Sequence, residues 1–248
     1  MILSKIETEE GLIRPVKRKS DPRVGPDVLF SLIAEDLDYL LKLIQPEKID
    51  PHDLGLFKIY QVKDSPMTLS GPFLGAPQAV MGMEKMIALG AKRIWVLGWC
   101  GSLQPSLRIG DLFVPTGAVS EEGTSQHYPI ADKALTTDKE LNKILETALR
   151  EAGYPFVRGM AWTTDAPYRE TPSKVKAHQE RGILAVEMEM SAMMTVAIYR
   201  SVKLAGLLVV SDELFELKWH TGFSDPKFKK RSKESAELLL HLVQSLNR

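Results

Sequence analysis

Apolar positions along the chain follow two rhythms. Short continuous runs at Val28 to Ile33, Phe57 to Val62, Arg93 to Leu97, Leu112 to Pro115, Val157 to Thr163, Ile183 to Val186 and Lys203 to Val210 read as strands buried on both faces. Between them, helical spacing predicts helices over Glu35 to Ile44, Pro77 to Leu89, Asp138 to Ala152, Pro172 to Arg181, Met190 to Arg200 and Pro226 to Leu246. The ends carry matching signals. Pro77 stands in a first turn and Gly90 follows that helix; Thr137 precedes and Gly153 follows the next. Thr171 and Gly182 bracket the fourth, and Ser224-Asp225 precedes the last. Strands separated by helices predict an α/β fold, one sheet with helices on both faces. With no internal repeat or composition break, residues 27–248 read as one domain behind an irregular basic arm, residues 1–26. The stretch Arg14-Pro15-Val16-Lys17-Arg18-Lys19 reads either as a solvated arm or as one that reaches a neighbouring subunit or an anionic ligand.

Composition narrows the class. The 248 residues are enough for one large core, and 32 basic side chains balance 32 acidic ones. That balance argues against a general nucleic-acid binder or a membrane-surface protein, which need an excess of positive charge. One cysteine, Cys100, cannot form an internal disulfide, which fits a reducing compartment. Met1 to Glu10 carries Lys5, Glu7, Glu9 and Glu10 rather than a signal peptide's apolar stretch, and no apolar run approaches the roughly 20 residues that span a bilayer. The expectation is a cytoplasmic protein with no membrane partner. The five histidines show no metal-ligand spacing, so no metal site is expected.

In open α/β sheets ligands bind where strands end. Three such junctions carry chemistry. Gly98-Trp99-Cys100-Gly101-Ser102 follows a strand and reads as a bend that admits a ligand close to the backbone, or as an ordinary tight turn. Val186-Glu187-Met188-Glu189-Met190-Ser191 sets two carboxylates between a strand and a helix. Ionised carboxylates only accept hydrogen bonds, so they match a sugar's vicinal hydroxyls; equally, they match a helix N-terminus. Met188 between them suits a sugar face or the core. Ser211-Asp212-Glu213 puts an acid at the mouth of an apolar strand, where desolvation raises its pKa, or where it caps a turn.

Taken in order, the pieces resemble the nucleoside phosphorylase family, which includes purine nucleoside phosphorylases, uridine phosphorylases and methylthioadenosine nucleosidases. The matching stretches are Gly75-Ala76-Pro77 with Leu89-Gly90-Ala91, then Gly98-Trp99-Cys100-Gly101 with Gly110-Asp111. Next come Glu122 to Tyr128 and Trp162 to Arg169, and last Val186-Glu187-Met188-Glu189 and Val210-Ser211-Asp212. The resemblance implies a twisted, mixed central sheet flanked by helices in three layers. It implies that the chain cleaves the N-glycosidic bond of a nucleoside, reversibly where phosphate is the nucleophile. Met188 and Glu189 would hold the ribose, and Glu187 would sit near the base or nucleophile. Asp212, with Ser211 beside it, would protonate or hydrogen-bond a purine ring. Tyr168 would lie against base or sugar, Gly101 near the base, and His127 in a loop by the site. A positive sugar and a negative leaving base develop in such a cleavage, and a carboxylate and an acid answer those needs.

The chain departs from that pattern at the anion site. The family's Gly-Asp-Pro-x-Arg loop is replaced by Ile33-Ala34-Glu35-Asp36-Leu37-Asp38, its arginine by Val96, and its serine or threonine by Trp99. Three acids repel phosphate, and an indole offers one donor. Uridine-reading residues are absent too, with Thr171 and Ser173 in their places, so a purine-type base is favoured. No cofactor is expected beyond inorganic phosphate as a co-substrate. The alternatives are a phosphate-independent nucleosidase of the same fold and a non-catalytic nucleoside-binding protein. The family also implies a homo-oligomer, dimer or hexamer. Trp219-His220 reads as a lid over the base or as loop packing, and Cys100 as a small buried residue.

Overall fold

A computed structural model describes residues 11–63, 65–131 and 133–246. The expectation for Met1 to Glu10 lies outside the described residues, and residues 11–26 contain neither helix nor strand. The elements run β1 (Asp27–Ser31), α1 (Ala34–Ile44), β2 (Ile49–Asp53), β3 (Lys58–Val62), β4 (Thr68–Gly71), α2 (Gly75–Leu89), β5 (Arg93–Ser102) and β6 (Leu112–Ser120). They continue with α3 (Lys139–Glu151), β7 (Phe156–Thr163), α4 (Pro172–Glu180), β8 (Ala185–Glu187), α5 (Met190–Arg200), β9 (Lys203–Glu213), β10 (His220–Thr221) and α6 (Pro226–Ser245).

The strands form one mixed sheet in the order β10-β9-β6-β7-β8-β5-β1-β4-β3-β2. Because β9 also pairs with β5, the strands β9, β6, β7, β8 and β5 close into a ring, and β1 to β4 extend from it as an open wing. Alternation along β5 divides the core. Ile94, Val96 and Cys100 face α2 and α5, whereas Trp95 and Leu97 face α1, α3 and α6. In α3, Leu141, Leu145 and Leu149 recur every fourth residue and form one buried stripe. Among the described residues no helix is long and apolar enough to cross a membrane.

Several expectations need correction. The Gly98 to Ser102 stretch is not a bend; β5 runs straight through it, paired with β9 along its whole length apart from one irregularity between Cys100 and Gly101. Its glycines make room instead of turning the chain. A Cβ on Gly98 would sit 2.8 Å from Leu32 Cδ1, and one on Gly101 2.7 Å from Leu214 Cδ1. Ser211-Asp212-Glu213 likewise belongs to β9 rather than following it, and β6 extends to Ser120. The cap of α3 is Asp138, whose carboxylate accepts from the N–H of Glu140 and Leu141; Thr137 instead donates to Pro115 O. The edge strand β2 (Ile-Asp-Pro-His-Asp), β4 and the two-residue β10 carry no apolar run long enough to announce them.

Candidate active site

The ends of β8, β5 and β9 and the start of α2 meet at one place. Glu187 closes β8, and three residues later α5 begins. Its Oε2 accepts from the N–H of Glu189 (2.7 Å) and Met190 (2.6 Å), and its Oε1 from the Thr163 hydroxyl. Glu187 therefore caps α5, as one reading of the pair anticipated. Glu189 does something else. Its Oε1 accepts from the Gly75 N–H at the first residue of α2, 2.6 Å away. Gly75 has φ of +77°, a left-handed conformation that favours glycine, so the backbone can present that N–H. Met188, half-buried, lies 4.0 Å from where a Gly75 Cβ would stand.

Both acids are buried, 5% and 6% exposed. Burial raises Glu187, against the bonds from Thr163 and the backbone. Burial and then the Glu187 charge raise Glu189. Two carboxylates this close do not both ionise readily, so the pair retains a proton well above the usual carboxylate range.

Asp212 supplies the third acid. Its Oδ1 accepts from the Ser211 hydroxyl (2.6 Å) and its Oδ2 from the Trp219 indole N–H (2.9 Å). Burial raises its pKa, opposed by those two bonds. Gly101 joins the two halves: it pairs with Val186 on β8 and Asp212 on β9, and a Cβ there would lie 3.1 Å from Asp212 Oδ2. The buried Cys100 thiol is pushed up by burial, then by the charges of Asp212 and Glu187, which marks all three as neighbours at one end of β5. A thiol held that far towards its neutral form is not a nucleophile.

Other predicted residues fall elsewhere. Tyr168 is 99% exposed, on a one-turn 3-10 helix at Pro167–Arg169. His127 is exposed and lines a cavity of about 660 Å³ between residues 11–21, α2 and α5, together with Tyr128, Tyr199 and Arg200. None of Glu187, Glu189 and Asp212 lines that cavity. Trp99 is half-buried, donates its indole N–H to Asp36 Oδ2 at 2.9 Å, and packs edge-on against Phe228. Trp219 is 63% exposed and bonds the acid its loop follows, while its ring packs edge-on against Phe223.

Sequence reasoning missed two acids. Glu122 is 1% exposed and accepts from the hydroxyls of Ser120, Ser125 and Ser191 and from the Ser125 N–H. Burial opposes its ionisation, but these four bonds win and hold its pKa below the ordinary value. It pins the loop after β6 to α5, close enough for its charge to raise Glu187. Three serines at 120, 125 and 191 were the available signal, readable only once the fold brings them together. Glu170 is half-buried and pushed up to about 7, by burial and then by the Asp212 charge. A lone glutamate in Tyr-Arg-Glu-Thr-Pro gives no sequence signal. Among the described residues no group of three or more His, Cys, Asp or Glu side chains is placed to hold a metal ion.

The sequence and the fold have counterparts among known proteins. A guanosine phosphorylase of Halorubrum lacusprofundi is 25% identical over 177 residues, 71% of this chain and 73% of that protein. A purine nucleoside phosphorylase of Bacillus cereus is 30% identical over 164 residues, 65% of this chain and 69% of that protein. The crystal structure of purine nucleoside phosphorylase from Toxoplasma gondii in complex with immucillin-H has the same fold. Its TM-score is 0.82 at 23% identity, over 97% of this chain and 99% of that one. The model of the phosphorylase superfamily matches residues 30–246. With the match running from β1 to the end of α6, the chain belongs to the phosphorylase superfamily.

Proposed function

We propose that this chain is an enzyme that cleaves the N-glycosidic bond of a nucleoside with a purine-type base. The observation that carries the reading is the convergence of Asp212 with Glu187 and Glu189 around Cys100 and Gly101. Asp212 is the acid: raised by burial and oriented by Ser211, it gives its proton to a purine ring nitrogen as the base leaves. Gly101, lacking a side chain, admits the base beside it. Glu189 accepts from the ribose hydroxyls, with Met188 against the sugar. Glu187 positions Glu189 and α5 through three bonds and shares the pair's proton. Trp219 leaves Asp212 when the base arrives. Tyr168 is exposed and His127 lines the separate cavity, so neither has a chemical role here. The names of the relatives, guanosine phosphorylase and purine nucleoside phosphorylase, support a purine over uracil. A cytoplasmic homo-oligomer fits the balanced charge and the exposed Leu12, Ile13 and Val16 of the arm.

The test is base release from inosine, guanosine, adenosine and uridine, followed by absorbance. Purine nucleosides should be turned over with kcat/KM at least about tenfold above uridine's, a gap of about 1.4 kcal/mol in barrier. Binding without turnover of any of them would contradict the reading.

A further inference from the structure

From Asp212 a chain of side chains leads through Trp219, Phe223 and Trp99 to the corner where the resemblance to the nucleoside phosphorylases places the anion, and the charge there has the wrong sign for phosphate. Trp99 immediately precedes Cys100 and Gly101 on β5. Its indole donates to Asp36, a carboxylate only 3% exposed in the first turn of α1, and Ser232 donates to the other oxygen. Phe228 and Phe223 pack on Trp99 at 4.9 and 6.0 Å between ring centres, and Phe223 leads on to Trp219 and so to Asp212. One connected set of side chains thus runs from the acid Asp212 to Asp36, and no cation bonds Asp36 among the described residues.

The usual anion-binding devices are spent or reversed here. A helix N-terminus favours an anion, but that of α1 carries the chain's own Glu35 and Asp36. Leu32, just before it, bonds to Leu97 O through its N–H and closes over Gly98. Arg93, the arginine closest in sequence, is at the opposite end of β5 and forks onto Asp27. Phosphate binding relies on fixed cations and guanidinium forks, and among the described residues none is bonded at this corner. Burial holds Asp36 at about 6, so it is mostly ionised at neutral pH and would repel a phosphate dianion.

From this geometry we infer that water, not phosphate, attacks the sugar, so that the chain acts as a nucleoside hydrolase. The inference rests on the proposed function and specifies its nucleophile. In the step, the bond from C1′ to the base nitrogen breaks and its electron pair leaves with the base. Asp212 passes its proton to the base. The water oxygen bonds to C1′, and the water's spare proton goes to the ionised member of the Glu187–Glu189 pair. Free pentose and neutral base result, one water is consumed, and both acids re-equilibrate with solvent.

The experiment uses the full chain with inosine in phosphate-free buffer and again with inorganic phosphate in excess at matched ionic strength. Hypoxanthine, reducing sugar and ribose 1-phosphate are measured together. The expected result is free ribose in both arms with rates equal within about twofold. Base release that rises about tenfold or more with phosphate, yielding ribose 1-phosphate, overturns the inference. A second arm does not depend on activity: thermal unfolding with inorganic phosphate against chloride. No shift in Tm is expected, and a saturable rise with phosphate overturns the inference. Absence of base release in every arm would sink the proposed function instead, with the unfolding arm still deciding whether phosphate binds.

Discussion

Replacing Asp212 by asparagine separates chemistry from folding. The carboxylate accepts from Ser211 Oγ and Trp219 Nε1. An amide keeps one acceptor for the indole, and the serine hydroxyl can rotate to accept from the new NH2 group. The structural cost should therefore stay near that of one imperfect hydrogen bond, about 1 kcal/mol. The catalytic cost should be much larger, because a general acid contributes about 10²–10⁴-fold, or about 2.7–5.4 kcal/mol of barrier. Hypoxanthine release from inosine gives kcat, and urea unfolding gives stability. A built-in control is 7-methylguanosine, whose cationic base leaves without being protonated; Asp212→Asn should slow it far less than inosine. If kcat on inosine stays within about tenfold of the parent while the fold is intact, Asp212 is not the acid.

Three further outcomes follow from the same geometry. Gly101→Ala would place a methyl 2.7 Å from Leu214 Cδ1 and 3.1 Å from Asp212 Oδ2. Overpacking of about 1–3 kcal/mol in urea unfolding should accompany a fall in kcat/KM, and unchanged activity would count against base binding there. Trp219→Phe removes a donor that favours the ionised form of Asp212, so the basic limb of the kcat/KM profile should move to higher pH; a limb that stays put excludes Asp212 as its source. Asp36→Asn tests linkage. Because the folded pKa, about 6, lies above the unfolded one, 3.8, the parent's stability from this group is full below about pH 4 and falls as pH rises through about 6. Most of that fall, about 3 kcal/mol in total, should vanish in the variant when urea unfolding is compared at about pH 4 and about pH 7; equal slopes would refute the assignment.

The strands and helices that the sequence exposes most clearly are those with strong local signals. Met190 to Arg200 has the boundaries its apolar pattern predicts, and Thr171 caps α4 as its position before Pro172 suggests. What stayed hidden depends on contacts between distant residues. Gly98 and Gly101 looked like a turn because glycine is common there, whereas their small size serves Leu32, Leu214 and Asp212, brought in from far along the chain. The polar edge strand β2 exists only because β3 offers it a partner. At the site, Glu187 and Glu189 stood out as two acids at a strand end, but their division of labour did not. Which one caps α5 and which reaches α2 is set by Gly75, 114 residues from Glu189. Asp36 was legible as an unwelcome charge for phosphate; that Trp99 would bond it was not.

The central claim is that Glu189 and Asp212 grip opposite ends of one molecule. A crystal structure of the chain with a non-cleavable purine nucleoside analogue tests it most directly. The prediction is a Glu189 carboxylate oxygen within hydrogen-bond distance of the ribose hydroxyls, and Asp212 within that distance of a purine ring nitrogen, its bond to Trp219 released. A nucleoside seated instead in the cavity beside His127 and Arg200, with Trp219 still bonded to Asp212, would contradict the account.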